Sequence, residues 1–431
     1  MKRLINLDGA FFRRISRIVF FLVSCFLIPA VGFGQMTARS LGMANAYTAL
    51  ARGVHAPLWN PANLGLPDNP GFSLSLISVA AGVENNTFSK SFYDKYFTGG
   101  DGNNEIYWTP EDVLDILNLI PDDGVTLNIG ATVRALSFSA GNFALSMGAS
   151  IQSYVQIDKT VLQLPLQGNE INQTYDFSDM DGRGLGIGTL SFSYGRLVPT
   201  NFADRFTLGG TVHFYYGGFY SNVDYARFSL KTADYGFDMD GNYELTTALG
   251  RMGWGADIGA AAQFDDGWTV SCALGNVLGS IPWANDVDKA YGIFKGDSIT
   301  IENTDDALSD SSWSVKAASF SEKLPSVLRL GCAYQEGPVL LTADYIQGFK
   351  KGVWATTKPQ FSFGTEWKGI KFLPLRAGVT LGGEIGMGTS FGFGLHPGGF
   401  GLDFGVLSRG FLFPTTSKGY VFGFEMGFGL N

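Results

Sequence analysis

The chain has 431 residues, of which 16% are charged and 14% aromatic, with 58 glycines and 36 phenylalanines. Soluble domains carry roughly a quarter charged residues, and binding to nucleic acid needs a basic surface, so this low charge and the net charge of −9 disfavour both classes. Beyond the N-terminus no apolar run reaches the ~20 residues of a membrane-spanning helix, and the aromatic and glycine content fits a β-barrel instead.

The first 34 residues are predicted to be an export signal peptide. Basic residues precede an apolar stretch from Ile18 to Val31, and Gly32 and Gly34 provide small residues for cleavage after Gly34. An alternative is a lipoprotein signal, because Leu22 to Cys25 resembles a lipobox, although this tetrapeptide lies midway through the apolar stretch.

Residues 35–70 contain no clean strand pattern. They hold the segment SLGMANAY, Ser40 to Tyr47, followed by Asn60, Pro61 and Ala62. A segment of this length and mixed polarity ahead of the first strand is predicted to fold into the lumen as a plug, with Asn60, Pro61 and Ala62 near the strand wall.

Residues 71–431 are predicted to form an all-β, transmembrane, antiparallel barrel of about 14 strands. From Tyr420 to Asn431 large apolar residues alternate with small or polar ones, and successive strand side chains point to opposite faces. In outer-membrane barrels the large face meets lipid and the small face lines the lumen. Short connections alternate with long ones, near 84–124, 158–184, 218–250 and 279–324 among others, as in these barrels. The expected location is the cell outer membrane, with its lipid and the barrel-assembly machinery as partners.

One helix is predicted inside the first long loop, over 109–120. Thr109 suits an N-cap and Pro110 the first helical position, and apolar residues recur at helical spacing. We expect a hydrophobic ligand to meet the protein between this helix and the loop after Tyr216. The alternative is that the same residues pack on one another and leave no cavity. The candidate ligand-binding residues are Val113, Leu117, Ile120, Phe219 and Tyr220.

Charged residues within the strands lie on the face that carries small and polar residues. An arginine facing lipid at the bilayer centre costs about 2–4 kcal/mol, so these residues are predicted to line the lumen. They either pair with one another and with the N-terminal segment or handle the headgroup of a substrate. The lumenal residues are Arg134, Arg329, Asp344, Glu366, Arg376 and Glu425.

No metal site, cofactor or enzyme motif is predicted. The three histidines are too scattered for metal-ligand spacing. Asp-Met-Asp-Gly occurs at 179–182 and 238–241, which suits either solvated acidic loops or Ca²⁺, although the spacing of an EF-hand loop is incomplete. Serine, histidine and aspartate occur, but nothing in the sequence orders them into a triad, because such triads are assembled in space.

The SLGMANAY and Asn60-Pro61-Ala62 segments, together with TPEDVLDILNLIPDDG and LPLRAGVTLG further along, resemble the FadL-type superfamily of outer-membrane barrels, which includes PorV- and PorQ-type proteins. The resemblance implies an N-terminal hatch over residues 35–70 that plugs the barrel. It also implies passive uptake of hydrophobic or amphipathic small molecules without a cofactor. The alternative is a non-transporting, PorV-like adaptor or secretion-associated barrel whose loops bind partner proteins. The chain departs from the usual pattern at its C-terminus, where Leu430 and Asn431 replace a final aromatic residue.

Overall fold

The fold is seen in a computed structural model that describes residues 36–97, 108–178, 180–300, 307–350, 352, 355–384, 386–413 and 415–430. The predicted signal peptide lies outside these ranges, as does Asp179 of the first Asp-Met-Asp-Gly sequence. No helix within the described residues is long and apolar enough to cross a membrane.

Short helices occur in the N-terminal segment and in two of the long connections. They are α1 (Ala38–Gly42), a 3-10 turn (Gly53–His55), α2 (Ala56–Trp59), a second 3-10 turn (Pro61–Gly65), α3 (Lys90–Phe97), α4 (Pro110–Leu119) and α5 (Lys159–Gln167). Helix α4 starts where the sequence predicts, since Thr109 and Asp112 form a capping box and Pro110 is the first helical residue. The hydrogen bonds from Thr109 lower the pKa of Asp112.

Strands make up most of the described chain. The strands are β1 (Phe72–Asn85), β2 (Val125–Ala140), β3 (Phe143–Ile157), β4 (Thr174–Phe177), β5 (Asp181–Leu197), β6 (Arg205–Ala233), β7 (Gly236–Gly250), β8 (Met252–Gln263), β9 (Trp268–Gly275), β10 (Ser280–Ile299), β11 (Leu308–Lys316), β12 (Phe320–Lys323), β13 (Val327–Glu336), β14 (Val339–Gly348), β15 (Gln360–Trp367), β16 (Leu375–Gly382), β17 (Gly386–Leu395), β18 (Phe400–Arg409) and β19 (Gly419–Phe428).

These strands form one antiparallel sheet that closes on itself. The last strand, β19, pairs with the first, β1, over Glu84 to Leu74, so the sheet is a barrel without a free edge along its main wall. The predicted all-β antiparallel barrel is therefore confirmed. The short connections at 141–142, 198–204, 264–267, 337–338, 368–374 and 396–399 lie at one end of the barrel, where the sequence placed its tight turns.

The number of strands differs from the expectation. The closed barrel has 16 strands, rather than about 14. At the end near the tight turns β6 pairs directly with β8, from Arg205 to Tyr216. At the other end β6 continues to Ala233, and β7 and β10 insert between β6 and β8. The two extra strands therefore belong to one half of the barrel wall.

The same region corrects two of the predicted loops. Residues 218–250 and 279–324 are mostly strands, which include β7, β10, β11 and β12. Strands β7 and β10 pair along most of their length, from Gly250 with Trp283 to Phe237 with Ile299. Their sequences lack the sharp alternation of the barrel strands, although Tyr243, Leu245 and Phe294 form a buried apolar cluster between them. Charged residues such as Asp238, Lys289 and Lys295 occupy them, and the pattern resembles that of a loop.

The two faces of the barrel strands have opposite character. On β19, Phe422 and Phe428 point outward, and 60% and 44% of their surfaces are exposed. On the opposite face of the same strand Val421, Gly423 and Glu425 are buried. Trp254 on β8 and Trp268 on β9 are also exposed on the outside. The small and charged residues therefore face the interior of the barrel.

Candidate functional site

The N-terminal segment, residues 36–66, lies buried against the inner faces of the strands. It folds with little regular structure. Thr37 and Ser40 form a capping box at the start of α1, and Ala44 and Asn45 adopt positive φ angles that turn the chain back. The amide of Asn63 donates to the carbonyl oxygens of residues 48 and 51, at 2.9 and 3.0 Å. These contacts keep the segment compact enough to lie within the barrel.

A row of glycines on five successive strands receives the first part of this segment. Across the row, a side chain would collide with the backbone of residues 38–43; at Gly405, for example, a Cβ atom would lie 2.1 Å from the carbonyl oxygen of Ala38. The glycine row therefore shapes a groove for α1. The sequence contained a signal for this row, because each of these glycines lies on the small-residue face of its strand. Its members are Gly364, Gly378, Gly392, Gly405 and Gly423.

Four charged side chains tie α1 to the wall. Arg39 donates to both carboxylate oxygens of Glu366, at 2.7 and 3.0 Å. Glu366 also accepts from Nε of Arg376 at 2.6 Å, and Arg376 reaches Asp403 at 2.5 Å. All four side chains are buried. The predicted lumenal residues Glu366 and Arg376 are thus paired with each other and with the N-terminal segment.

Two further acidic residues hold the middle of the segment. One carboxylate oxygen of Asp344 accepts from the backbone N–H groups of Tyr47 and Thr48, at 3.0 and 2.8 Å. Glu425 lies 2.9 Å from Nε2 of His55, while Nδ1 of the same ring is 3.0 Å from the Tyr47 hydroxyl. Both carboxylates are buried, and each faces polar groups of the segment.

The remaining two lumenal arginines also contact the segment. Arg134 donates to the carbonyl oxygen of Met36 at 2.9 Å, and the Arg329 guanidinium lies 5.1 Å from the centre of the Trp59 ring, within the range of a cation–π contact. All six predicted lumenal residues therefore lie inside the barrel near residues 36–66.

The Asn60-Pro61-Ala62 sequence lies against the wall formed by β5, β6 and β8. The Asn60 amide donates to the carbonyl oxygen of Ala260 at 2.9 Å, and its own oxygen accepts from the N–H of Ala62. A Cβ atom at Gly259 would lie 1.9 Å from that amide oxygen, and one at Gly209 would lie 2.4 Å from the nitrogen of Ala62. The wall approaches this turn closely because these two positions lack side chains.

A cavity of about 470 Å³ lies next to the N-terminal segment. Met36, Asn45 and the residues Pro57, Leu58 and Trp59 form one side of it. The strands contribute apolar groups such as Ile187, Val327 and Ile346. They contribute still more polar ones, such as Thr132, Gln152, Ser191 and Gln360. The cavity therefore offers both apolar contact and hydrogen-bonding groups.

The expected ligand site between α4 and the loop after Tyr216 is not formed. Val113, Leu117 and Ile120 pack with residues of α3 and α5, including Phe92 and Tyr96. Leu117 and Ile120 are 7% and 2% exposed. The three residues therefore follow the alternative, in which they pack with apolar neighbours and leave no cavity.

The other two expected contacts lie in a different cluster. Phe219 lies across Gly186 on the neighbouring strand. Tyr220 packs on Trp283 and Phe320, with ring centres 5.3 and 5.1 Å apart. The chain from Tyr216 onward continues as strand β6 rather than as a loop, which carries these side chains away from α4.

Among the described residues, no group of three or more His, Cys, Asp or Glu side chains is arranged to hold a metal ion. The acidic sequence at 238–241 belongs to β7 rather than to a loop. Asp238 there accepts from the backbone N–H of Ser298. Asp238 therefore links β7 to β10.

Comparison with solved structures supports the fold. A FadL homologue of Pseudomonas aeruginosa has a TM-score of 0.52 at 12% identity, over 93% of this chain and 100% of that one. A monoaromatic hydrocarbon channel, the TodX deltaS2S3 mutant, has a TM-score of 0.51 at 12% identity, over 91% and 99%. The toluene transporter TodX of P. putida has a TM-score of 0.48 at 13% identity, over 92% and 96%. At these identities the first two show a shared FadL-type fold.

None of these structures is named as a PorV- or PorQ-type protein, so the comparisons do not support the adaptor alternative. None of the curated proteins matches the sequence significantly. A family model described as "Family of unknown function (DUF5723)" matches residues 61–249 and 234–406, which together span more than half of the chain. The chain therefore belongs to the DUF5723 family.

Proposed function

We propose that this protein is an outer-membrane barrel through which hydrophobic or amphipathic small molecules enter by passive diffusion. The exposed apolar side chains on the outside of the wall, such as Phe143, Trp254 and Phe422, support a lipid environment. In water they would form an apolar surface far larger than soluble proteins expose. The FadL-type fold is compatible with this location.

The cavity beside the N-terminal segment is the observation that carries the proposal. Its volume of about 470 Å³ lies within the range of small-molecule sites. Its apolar groups, such as Trp59 and Ile346, would contact a hydrocarbon portion, while Gln152 and Thr132 would bind a polar portion. This lining favours amphipathic molecules over pure hydrocarbons, because a buried polar group without a hydrogen-bond partner costs about 1–3 kcal/mol.

In this proposal residues 36–66 act as the hatch that controls exit from the cavity. The hatch is held by ion pairs and hydrogen bonds, such as those of Arg39 with Glu366, and by the close approach of glycines. Passage requires these contacts to rearrange, which makes the hatch a gate rather than a permanent seal. No cofactor or energy source takes part in such diffusion.

Filling the cavity tests the proposal. Ser150 lines the cavity on β3, and Ser150→Trp should slow the entry of N-phenyl-1-naphthylamine into cells that carry the protein in their outer membrane. Met147→Trp is the matched control, because Met147 lies on the same strand with its side chain exposed on the outside. If the probe enters cells that carry the wild-type protein no faster than cells without it, transport of this probe class is refuted. Equal slowing by both variants would show that the cavity is not the route.

A further inference from the structure

Three polar side chains on neighbouring strands form a chain of hydrogen bonds inside the barrel. Ser191 on β5 pairs in register with His213 on β6, and Asp257 lies on the next strand, β8. The Ser191 Oγ is 2.7 Å from His213 Nδ1, and His213 Nε2 is 2.9 Å from a carboxylate oxygen of Asp257. Sequence reasoning did not find this set, because 22 and 44 residues separate the bonded pairs along the chain.

The hydrogen bonds determine which ring nitrogen carries the proton. An ionised carboxylate accepts but does not donate, so Nε2 of His213 donates to Asp257. In the neutral ring Nδ1 then has a lone pair and accepts from the hydroxyl of Ser191. This is the protonation state of a general base next to a nucleophilic serine.

Neighbouring groups hold the histidine and the aspartate in place. The second oxygen of Asp257 accepts from the backbone N–H of Asn276 at 2.7 Å. The His213 ring stacks on Tyr215, with ring centres 5.5 Å apart and planes 17° apart. The Tyr215 hydroxyl in turn donates to the Asn276 side chain at 2.9 Å. A base whose orientation is held by a third group is the arrangement that nucleophilic catalysis requires.

Ser191, His213 and Asp257 lie at different distances from the cavity. Ser191 and His213 line it, whereas Asp257 lies behind the histidine and does not. Ser146 on β3 pairs in register with Ser191 and lines the same cavity. The Ser146 oxygen accepts from Ser137 at 3.4 Å, which leaves the Ser146 hydroxyl hydrogen to donate toward the cavity. A side-chain donor of this kind can stabilise an oxyanion.

We propose that Ser191 is the nucleophile of an ester-hydrolysing site within the lumen, with His213 as its general base. Asp257 is a positioning residue that acts through the histidine. The substrate class is a small carboxylic ester. Its acyl chain would lie along Ile187, Leu324 and Val327, the apolar residues of the same cavity. This activity does not depend on passage through the hatch.

The reaction proceeds in two steps. Ser191 Oγ bonds to the ester carbonyl carbon while its proton passes to His213 Nδ1, and the Ser146 hydroxyl donates to the oxyanion. The bond from carbon to the alkoxy oxygen breaks, and the leaving alcohol takes the proton from Nδ1. Water then attacks the acyl-serine, its proton again passes to Nδ1, and the carboxylic acid leaves as Ser191 regains its hydrogen.

The chain offers a matched control for a purely structural role. Two residues along β5, Ser193 bonds to Thr211 on β6 at 2.8 Å, and both are buried. Ser193 thus has the same strand, the same face and a similar hydrogen bond, but its partner is not a histidine, and it does not line the cavity. If the serines only bridge strands, Ser191 and Ser193 should behave alike.

The test uses the full barrel in detergent, an alkyl fluorophosphonate and p-nitrophenyl butyrate. Attack by a nucleophilic serine displaces fluoride and leaves a phosphonyl adduct that peptide mass spectrometry locates. We expect the adduct on Ser191 in the wild type and in Ser193→Ala. We expect none in Ser191→Ala, and at least a ~100-fold lower labelling rate in His213→Asn.

Asp257→Asn separates positioning from packing. The amide can replace the carboxylate in shape but favours the wrong tautomer, so we expect the maximal labelling rate to fall while the reagent concentration at half-maximal rate stays unchanged. Hydrolysis of p-nitrophenyl butyrate should follow the same order among variants, each of which must run as a folded barrel on unheated gels. Absence of an adduct on Ser191 in the wild type, or equal labelling of the wild type and His213→Asn, would overturn the proposal.

Discussion

At Glu366, one buried carboxylate contacts three cations. Arg39, Arg376 and Lys368 lie 2.7, 2.6 and 3.2 Å from its oxygens. Removing one charge from a buried cluster leaves the partners without compensation, which costs more than the intact pair contributes. The cluster is therefore a sensitive point for the attachment of the N-terminal segment. At an exposed ion pair such as that of Lys358 with Glu384, water compensates the loss.

Glu366→Gln tests this difference. We expect the free energy of unfolding in urea to fall by about 3–5 kcal/mol, or the N-terminal segment to become accessible to trypsin at Arg39 while the barrel stays folded. Glu384→Gln is the control and should change the stability by less than about 1 kcal/mol. Equal, small effects of the two substitutions would show that the buried cluster does not hold the segment.

Strand periodicity placed the six predicted lumenal charges on the small face of their strands, and five of them are buried in the structure. The sequence offered pairing among these charges and with the N-terminal segment as one interpretation, but it did not predict which residue pairs with which. Arg52 of the same segment, for example, bonds to Asp68 at 3.0 Å, outside the buried cluster. Strand periodicity states which way a side chain points, whereas the partner depends on where an irregular segment folds.

Helix α4 starts at the predicted residue, but its apolar side does not have the predicted role. Its start at Thr109 and Pro110 follows from capping. Its apolar side was expected to receive a ligand, but Ile116, Leu117 and Ile120 pack into the cluster with α3. Amphipathicity predicts that one side will be covered, and the covering element is chosen by the tertiary structure.

Leu117→Asp should open this cluster without preventing barrel assembly. A buried carboxylate lacks partners there and costs several kcal/mol, so we expect amide hydrogen exchange in α3 and α4 to rise while that of β15 and β16 does not. Leu119→Asp is the control, because Leu119 is 49% exposed at the end of the same helix. Exchange that rises equally in both variants would assign the effect to charge rather than to burial.

In the whole molecule, closure of the barrel wall and occupation of its interior depend on different parts of the chain. Pairing of β1 with β19 closes the wall, while residues 36–66 lie against its inner face near the lumenal charges named above. The barrel strands have their own continuous pairing, so the wall does not need the segment for its hydrogen bonds. The segment supplies compensation for buried charges instead.

Deletion of residues 36–66 should therefore leave a barrel that assembles and conducts. We expect stable, voltage-independent conductance in planar bilayers, with the wild type largely closed, because the charged lumen would fill with water. Replacing the same residues by a flexible linker of equal length serves as the control for the connection to β1. A deleted protein that stays closed would mean that other parts of the chain block the lumen.

The sequence by itself determined the barrel, the sidedness of its strands, the tight turns and the start of α4, because these follow from local periodicity and capping. The tertiary structure alone decided that β7 and β10 join the wall, that α1 lies along the glycine row, and that Ser191, His213 and Asp257 meet across three strands. Each of these depends on contacts between positions far apart in the chain. Such contacts leave no fixed spacing in the sequence, since strand register and closure determine which residues become neighbours.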